Sequence, residues 1–489
     1  MKTAESKGLL PVEDRGVPVA GKPTLGIVAI AKYNHQKDEI YAFLRKLQER
    51  YSADPTVNLM AEENVLFDEY EIANRVRTMA AAGADCILLV VGTWIYSSIV
   101  ITAVNDLQLP FILWGYSERI ANGNLGASLQ IRYVLKEIGK RFLYVCGPSN
   151  DQGNYQKMAR YLKAAWVRKY LRNRKIATIG GKCMMMYQTQ VNEYSWKRTF
   201  GIDFPQYDTA QIFKEMEKVD DEEARKVEKD FLSKVDKVHW EADNGDRMEK
   251  DAIFTQAKMF LAFQRMKKLY DIDVFANKCM PEMSAIPYGY GYAGCLATCM
   301  LNEAGTMIAC EADVPAALSM YILHLLSDGQ KVFFADIARL NKPDRRITFF
   351  NCGTAPMSMA DRSKGVELWP IPGNISDEAI PKEYFISKMK GSSIKFELEN
   401  GRGVTLLRIG GNDETLRFHA ARATTCKREV EPDEIIGNRW PGFGLEFGED
   451  TESFLNNTVG HHYSIVYGDY LEELRSLAEI LDVTFVSNG

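Results

Sequence analysis

Short apolar, β-branched runs alternate with helix-length amphipathic stretches over the first 350 residues. That alternation restricts the chain to βαβ units on parallel sheets. TLGIVAIA (24–31), ADCILLVVG (84–92), PFILWG (110–115) and RFLYVCG (141–147) read as strands of a first block, with helices over Asp38–Tyr51 and Tyr70–Ala82 between them. The unbroken apolarity of ADCILLVV fits a strand buried on both faces. A second block opens near Arg172 with KIATIGG (175–181) and runs through the charged helical region Thr209–Lys267. Its KVDDEEARKVEKDF run reads as a solvated helix face. TMIAC (306–310), KVFFA (331–335) and RITFF (346–350) complete this block as strands of the same kind. After Pro356 the style changes to period-2 segments such as SSIKFELE and GVTLLRI, broken by Gly and Asn, and one helix over Tyr470–Leu481 follows. The expectation is two Rossmann-like parallel-sheet α/β domains, 1–171 and 172–355, followed by a mainly antiparallel, barrel-like β domain, 356–489.

Several function classes are disfavoured. The net charge is -5 and the pI is about 5.9, so nothing marks a nucleic-acid or anionic-membrane partner, which would normally show a basic patch. Met1–Gly21 has no apolar core of a signal peptide, and no apolar run approaches the roughly 20 residues of a membrane span. Nine dispersed cysteines, mostly inside apolar runs, read as thiols of a reducing, cytoplasmic compartment. Cys295 and Cys299 lack a second cysteine or histidine pair, so core packing is expected of them rather than zinc. GxGxxG and P-loop signatures are absent, which weighs against a nucleotide-dependent enzyme.

The chemistry lies at three strand ends. TMIAC is followed by Glu311, KVFFA by Asp336 and RITFF by Asn351. Ligands of open α/β sheets bind beyond the carboxyl ends of the strands. Glu311 and Asp336 are 25 positions apart, the length of one short βαβ unit, which would set their carboxylates side by side. Such a pair can hold a hard cation or move protons, although a single acid after a strand is more often a helix cap. Asp313, before Val314-Pro315, reads as such a cap. Two of the six histidines, His461 and His462, fall together in NNTVGHHYSIVYGDY. One imidazole added to two carboxylates makes a reasonable Mn²⁺, Co²⁺ or Mg²⁺ set.

ACEADVPAALSMYILHLL, QKVFFADI, ITFFNCGTAP and NTVGHHYSIVYGDYLEELRSLAEILDVTF together resemble the metal-site and C-terminal segments of the L-fucose/L-arabinose isomerase family. The resemblance implies a metal-dependent aldose–ketose isomerase acting on an open-chain hexose or pentose through an ene-diol intermediate. It implies Glu311, Asp336 and His462 as Mn²⁺ ligands, with the two carboxylates also catalytic and His461 as the fallback ligand. It further implies Trp94, Lys278, Asn351, Trp440, Asn457 and His461 as sugar-facing residues, and a homo-oligomer, hexameric in the family. The stretch IGGKCMMMYQTQVNEYSWKRTFGID resembles the family's second-domain opening and carries no assigned chemistry. The family's sugar-facing tyrosine has no aromatic counterpart near Ser392. The same residues admit an isomerase of a modified or anionic hexose such as sulfoquinovose. A non-catalytic sugar-binding clamshell is the rival from another class, and it would have no need of the metal set.

Overall fold

A computed structural model of the chain describes residues 21–33, 38–117, 123–280, 283–284, 291–371, 391–412, 414–431, 434 and 438–488. The segment 1–20 and part of the stretch that follows Lys278, residues 281–282 and 285–290, lie outside the described residues. The first block forms β1 (Thr24–Ile30), α1 (Asp38–Ser52), β2 (Asn58–Ala61), α2 (Glu69–Ala81), β3 (Cys86–Val91), α3 (Ser97–Val104), β4 (Phe111–Tyr116), α4 (Asn124–Glu137), β5 (Phe142–Gly147) and α5 (Gln152–Leu171). The strands pair in parallel in the order β2-β1-β3-β4-β5. Alternation along each strand divides the apolar side chains between two cores. Leu25, Ile27, Leu88 and Val90 face one, while Val28, Ile30, Ile87 and Leu89 face the other. This is why these strands are apolar throughout: helices cover both faces.

The second block contributes β6 (Ile176–Ile179), α6 (Glu193–Phe200), β7 (Gln206–Tyr207), α7 (Thr209–Met216), α8 (Asp221–Leu232), β8 (Lys237–Val238), α9 (Ala252–Tyr270), β9 (Val274–Asn277), α10 (Cys295–Glu303), β10 (Ile308–Cys310) and α11 (Val314–Leu326). Its parallel sheet runs β10-β9-β6-β7. The KVDDEEARKVEKDF run forms α8 with only Ala224 and Phe231 buried, the solvated face expected. Helix α11 is buried at every position, because it lies between this sheet, α5 and the third block.

That third block holds β11 (Phe333–Asn341), β12 (Arg346–Phe350), β13 (Glu367–Pro370), β14 (Ser392–Lys395), β15 (Gly403–Gly410), β16 (Arg417–Cys426), β17 (Gly442–Glu446), α12 (Thr451–Asn456), β18 (His462–Tyr467), α13 (Leu471–Leu481) and β19 (Thr484–Asn488). Six antiparallel strands, β15-β18-β11-β12-β17-β16, close into a barrel through the β15–β16 pairing, with β19 added in parallel outside β16. The small sheet β14-β13-β8 lies apart.

One expectation fails here. KVFFA and RITFF are not parallel strands of the second sheet; they are the barrel strands β11 and β12, antiparallel to each other and to β18 and β17. Asp336 therefore belongs to the barrel and not to the second α/β block. The cause is double burial: Phe333 and Ala335 face the barrel interior, while Phe334 packs into the core shared with α11 and the second sheet. A barrel strand covered on both faces reads like a buried parallel strand.

Candidate metal and proton-transfer site

The site forms where the carboxyl end of β10 meets the outer face of the barrel. Asp336 and His462 are register partners across β11 and β18, so their side chains leave the same face as neighbours. Glu311 arrives from the other body. The chain leaves β10 with Glu311 and Ala312 both left-handed, at φ 58° and 51°. That conformation costs about 1–3 kcal/mol per residue outside glycine. It is held by Ala312 N–H donating to the Asn277 carbonyl at 3.0 Å and Asp313 N–H donating to that of Cys310 at 3.1 Å. The turn aims Glu311 at the barrel and starts α11 on Asp313.

The carboxylates converge on one atom. Nε2 of His462 is 3.1 Å from Glu311 Oε2 and 3.0 Å from Asp336 Oδ1. It is fully buried and forms a hydrogen bond with neither, so it is a buried polar atom without a partner. The ligand atoms offered by Glu311, Asp336, His461 and His462 all lie within 4.8 Å of one another. An imidazole nitrogen and carboxylate oxygens grouped around one point fit a divalent cation, which would satisfy the nitrogen that the protein leaves unpaired.

The far side of the ring is fully engaged. Asp313 Oδ2 accepts from His462 Nδ1 at 2.7 Å and from Arg408 Nη1 at 2.7 Å, while Oδ1 accepts from Ala316 N–H at 2.8 Å. Asp313 is thus the helix cap the sequence indicates, and also the carboxylate that orients His462. An acceptor at Nδ1 fixes the proton there and turns Nε2 toward the cluster. Arg408, wholly buried on β15, neutralises Asp313. Burial works against the Asp313 carboxylate, yet Arg408 and His462 outweigh it and hold its pKa at about 2. Burial would also lower His462, but Asp313 and the carboxylates of Asp336 and Glu311 raise it well above the ordinary histidine value. A cation at Nε2 would compete with that proton. Burial raises Glu311, reinforced by the charges of Asp336 and Asp313 and opposed by His462. His461 is lowered to about 4, first by burial and then by its charged neighbour His462, so it is neutral at physiological pH.

Asn351 is buried beside the cluster. Its Nδ2 donates to Asp336 Oδ2 at 3.1 Å, and its Oδ1 accepts from the Thr354 N–H and hydroxyl. Trp440 packs against Phe350 and leaves its indole N–H buried without a partner. Lys278 follows β9 and is half-buried beside Gly180. Asn457 ends α12 with its Nδ2 donating to Ser453 Oγ at 3.4 Å. Trp94 lies on the first unit over Gly123 and Gly126, 39% exposed, and is not brought to the cluster. Cys295 and Cys299 are both buried in apolar surroundings and belong to different cores.

Three contributors escaped the sequence reading: Arg408, Gln188 and the second role of Asp313. A lone arginine inside the apolar strand GVTLLRI was the available signal for Arg408. Gln188 carried none. Its Nε2 lies 3.2 Å from His461 Nδ1, and its carbonyl accepts from Arg408 Nη2 at 2.9 Å.

No family model matches the chain. It is 23% identical over 384 residues to a sulfoquinovose isomerase of Clostridium sp. (strain MSTE9), covering 76% of this chain and 79% of that protein. It is 20% identical over 431 residues to one from Priestia aryabhattai, covering 87% and 90%, and 22% identical over 400 residues to one from Alkalicoccus urumqiensis, covering 78% and 82%. Among solved structures, a periplasmic solute-binding protein from Actinobacillus succinogenes 130z with bound D-allose is 13% identical, spanning 63% of this chain and 93% of that one. Its TM-score is 0.18. The distant relatives identify an enzyme of the isomerase class, an intramolecular oxidoreductase.

Proposed function

We propose that this isomerase interconverts an aldose and its ketose, with a divalent cation held by Glu311, Asp336 and His462. The observation that carries the reading is the convergence of two carboxylates from different bodies on the unpartnered Nε2 of His462. Mn²⁺, Co²⁺ or Mg²⁺ suits a set richer in oxygen than nitrogen. When bound, such an ion supplies Lewis acidity toward the sugar's carbonyl and hydroxyl oxygens. The chain's own groups do the rest. Asp313 and Arg408 keep His462 Nε2 facing the cluster, and Asn351 pins Asp336. Isomerisation moves a proton between C1 and C2, a task for a carboxylate within hydrogen-bond reach. With Asp336 pinned, Glu311 is assigned that proton. The indole N–H of Trp440 is a donor awaiting a sugar oxygen, and Lys278, Asn457, His461 and Trp94 are proposed as further sugar contacts. A homo-oligomer is the proposed assembly.

The relatives' name makes sulfoquinovose, an anionic hexose, the first sugar to try, ahead of L-fucose and L-arabinose. A panel of these aldoses, incubated with chelator-stripped protein and then with added Mn²⁺, is scored for ketose. Ketose is expected only with the cation. Full turnover by protein shown to be metal-free, or no ketose from any aldose, overturns the reading.

A further inference from the structure

Between β6 and α6 the chain takes two consecutive left-handed residues, Met184 at φ 42° and Met185 at φ 56°, before a short 3₁₀ turn, Tyr187–Thr189. Backbone held in that region outside glycine marks places where the surroundings impose a geometry. Here the geometry lays Gln188 across both histidine supports. Its carbonyl accepts from Arg408 Nη2, the same guanidinium that holds Asp313 and, through it, His462. Its side-chain Nε2 lies 3.2 Å from Nδ1 of His461. Both histidines therefore have Nδ1 engaged by the chain, leaving Nε2 as each ring's free nitrogen.

The two partners differ in kind. The Asp313 carboxylate only accepts, so His462 keeps its Nδ1 proton in every state and Nε2 is the nitrogen that yields its proton to a cation. The amide N–H₂ of Gln188 only donates. A donor at Nδ1 makes that nitrogen the acceptor and places the ring proton of a neutral imidazole on Nε2, where it cannot ligate a metal.

We propose that Gln188 is a positioning residue that fixes the Nε2–H form of His461, making His461 a hydrogen-bond donor to a sugar oxygen and not a fourth metal ligand. The sugar oxygen rests on the isomerase reading, whereas the proton position does not.

The test begins with the metal-free full-length protein carrying ¹⁵N-labelled histidine. The chain has six histidines, and the His461 signals are those lost in His461→Ala. Two-bond nitrogen–proton correlations are expected to show His461 as the Nε2–H form in the parent. Gln188→Met should release it to a mixture, and Gln188→Glu, which can only accept, should switch it to Nδ1–H. Mn²⁺ titration should leave Gln188→Met and His461→Ala within about threefold of the parent, well short of the roughly 10–100-fold loss expected when a ligand's support is removed. With a converted aldose in hand, Gln188→Met should raise KM at unchanged Mn²⁺ affinity. An Nδ1–H ring in the parent, or Mn²⁺ binding by Gln188→Met weakened tenfold or more, overturns the assignment. If no aldose is converted by any variant, the isomerase reading has failed while the spectra and the Mn²⁺ titrations still judge Gln188.

Discussion

The two parallel sheets start from the same plan and part company at their carboxyl edges. In the first, the loops after β1 and β3 fold onto each other: Lys32 N–H donates to the Thr93 hydroxyl at 2.7 Å, and Asn124 Nδ2 reaches the Gly92 carbonyl. No group of possible metal ligands gathers there among the described residues. In the second, β10 leads into a strained turn bearing Glu311, and the barrel wall stands opposite with Asp336 and His462. The difference teaches that the crevice beyond a parallel sheet is an opportunity. It becomes a site where another body closes it and brings complementary donors on a rigid ladder.

The hardest test of that contrast is on activity. Glu311→Gln or Asp336→Asn should lower turnover roughly 10²–10⁴-fold. The cation-free Glu311→Gln variant should melt at or above the parent's temperature, since burial, with Asp336 and Asp313 beside it, disfavours the Glu311 charge more than His462 favours it. Added Mn²⁺ should stabilise the parent and the variants much less, by mass action. If activity survives and only stability falls, these carboxylates are structural.

Next comes the cap. Asp313→Ala strands buried Arg408 and frees His462, so thermal and denaturant melts should show a loss of about 3–5 kcal/mol. Asp151→Ala, at the corresponding cap of α5 beside the first sheet, removes only an acceptor for the Asn154 N–H and should cost about 1 kcal/mol. Equal losses would mean that the junction is no more tightly interlocked than an ordinary helix start.

A smaller effect is expected at Gly460, where a β-carbon would stand 2.9 Å from Arg408 Nε, an atom that is buried and hemmed in. Gly460→Ala should cost about 1–3 kcal/mol through overpacking, added to the strain of a side chain at a φ of 159°. Gly139→Ala, with a left-handed φ of 75° and open space around it, should cost only the backbone strain, about 1 kcal/mol. A reversal of that order would show that Arg408 yields easily.

The smallest effect lies inside the barrel. His419 is neutral, its pKa lowered by burial, with Nε2–H donating to Asn488 Oδ1 at 2.8 Å and the Tyr463 hydroxyl at Nδ1. Its folded pKa lies below the unfolded value near 6.5, so its contribution is intact above that pH and is lost as acid drives the pH down toward the folded value. Melts from pH 7.5 to 5 should show a shallower slope for His419→Gln than for the parent. Identical slopes would remove His419 from the acid sensitivity.

Much of this was legible in the sequence, and the failures share a cause. Unbroken apolar runs gave the first sheet because helices cover both of its faces. The same signal misled at KVFFA and RITFF, since apolarity reports burial and not the direction of the neighbouring strand. Glu311, Asp336 and His462 nonetheless meet: Asp336 and His462 by register across β11 and β18, and Glu311 by the turn after β10, not by a βαβ crossover. Asp313 could be read as a cap because capping is local. Its grip on His462, 149 positions away, exists only once the barrel is folded against α11. Gln188 was invisible for the same reason, as nothing local to a glutamine says which ring it will face.

The pairing of Asp336 with His462 as one rung of a ladder also bears on how such a protein can change over generations. Because side chains alternate along a strand, a one-residue insertion or deletion before Asp336 in β11 turns that carboxylate toward the barrel interior, and one in β18 does the same to His462, so either breaks the rung. A lineage adapting to a new sugar is thus barred from length changes in those two strands. On the proposed reading, its room for innovation lies in single substitutions away from that rung, at places such as Trp440, Lys278 and Gln188, where a side chain can be exchanged while the ladder keeps its count.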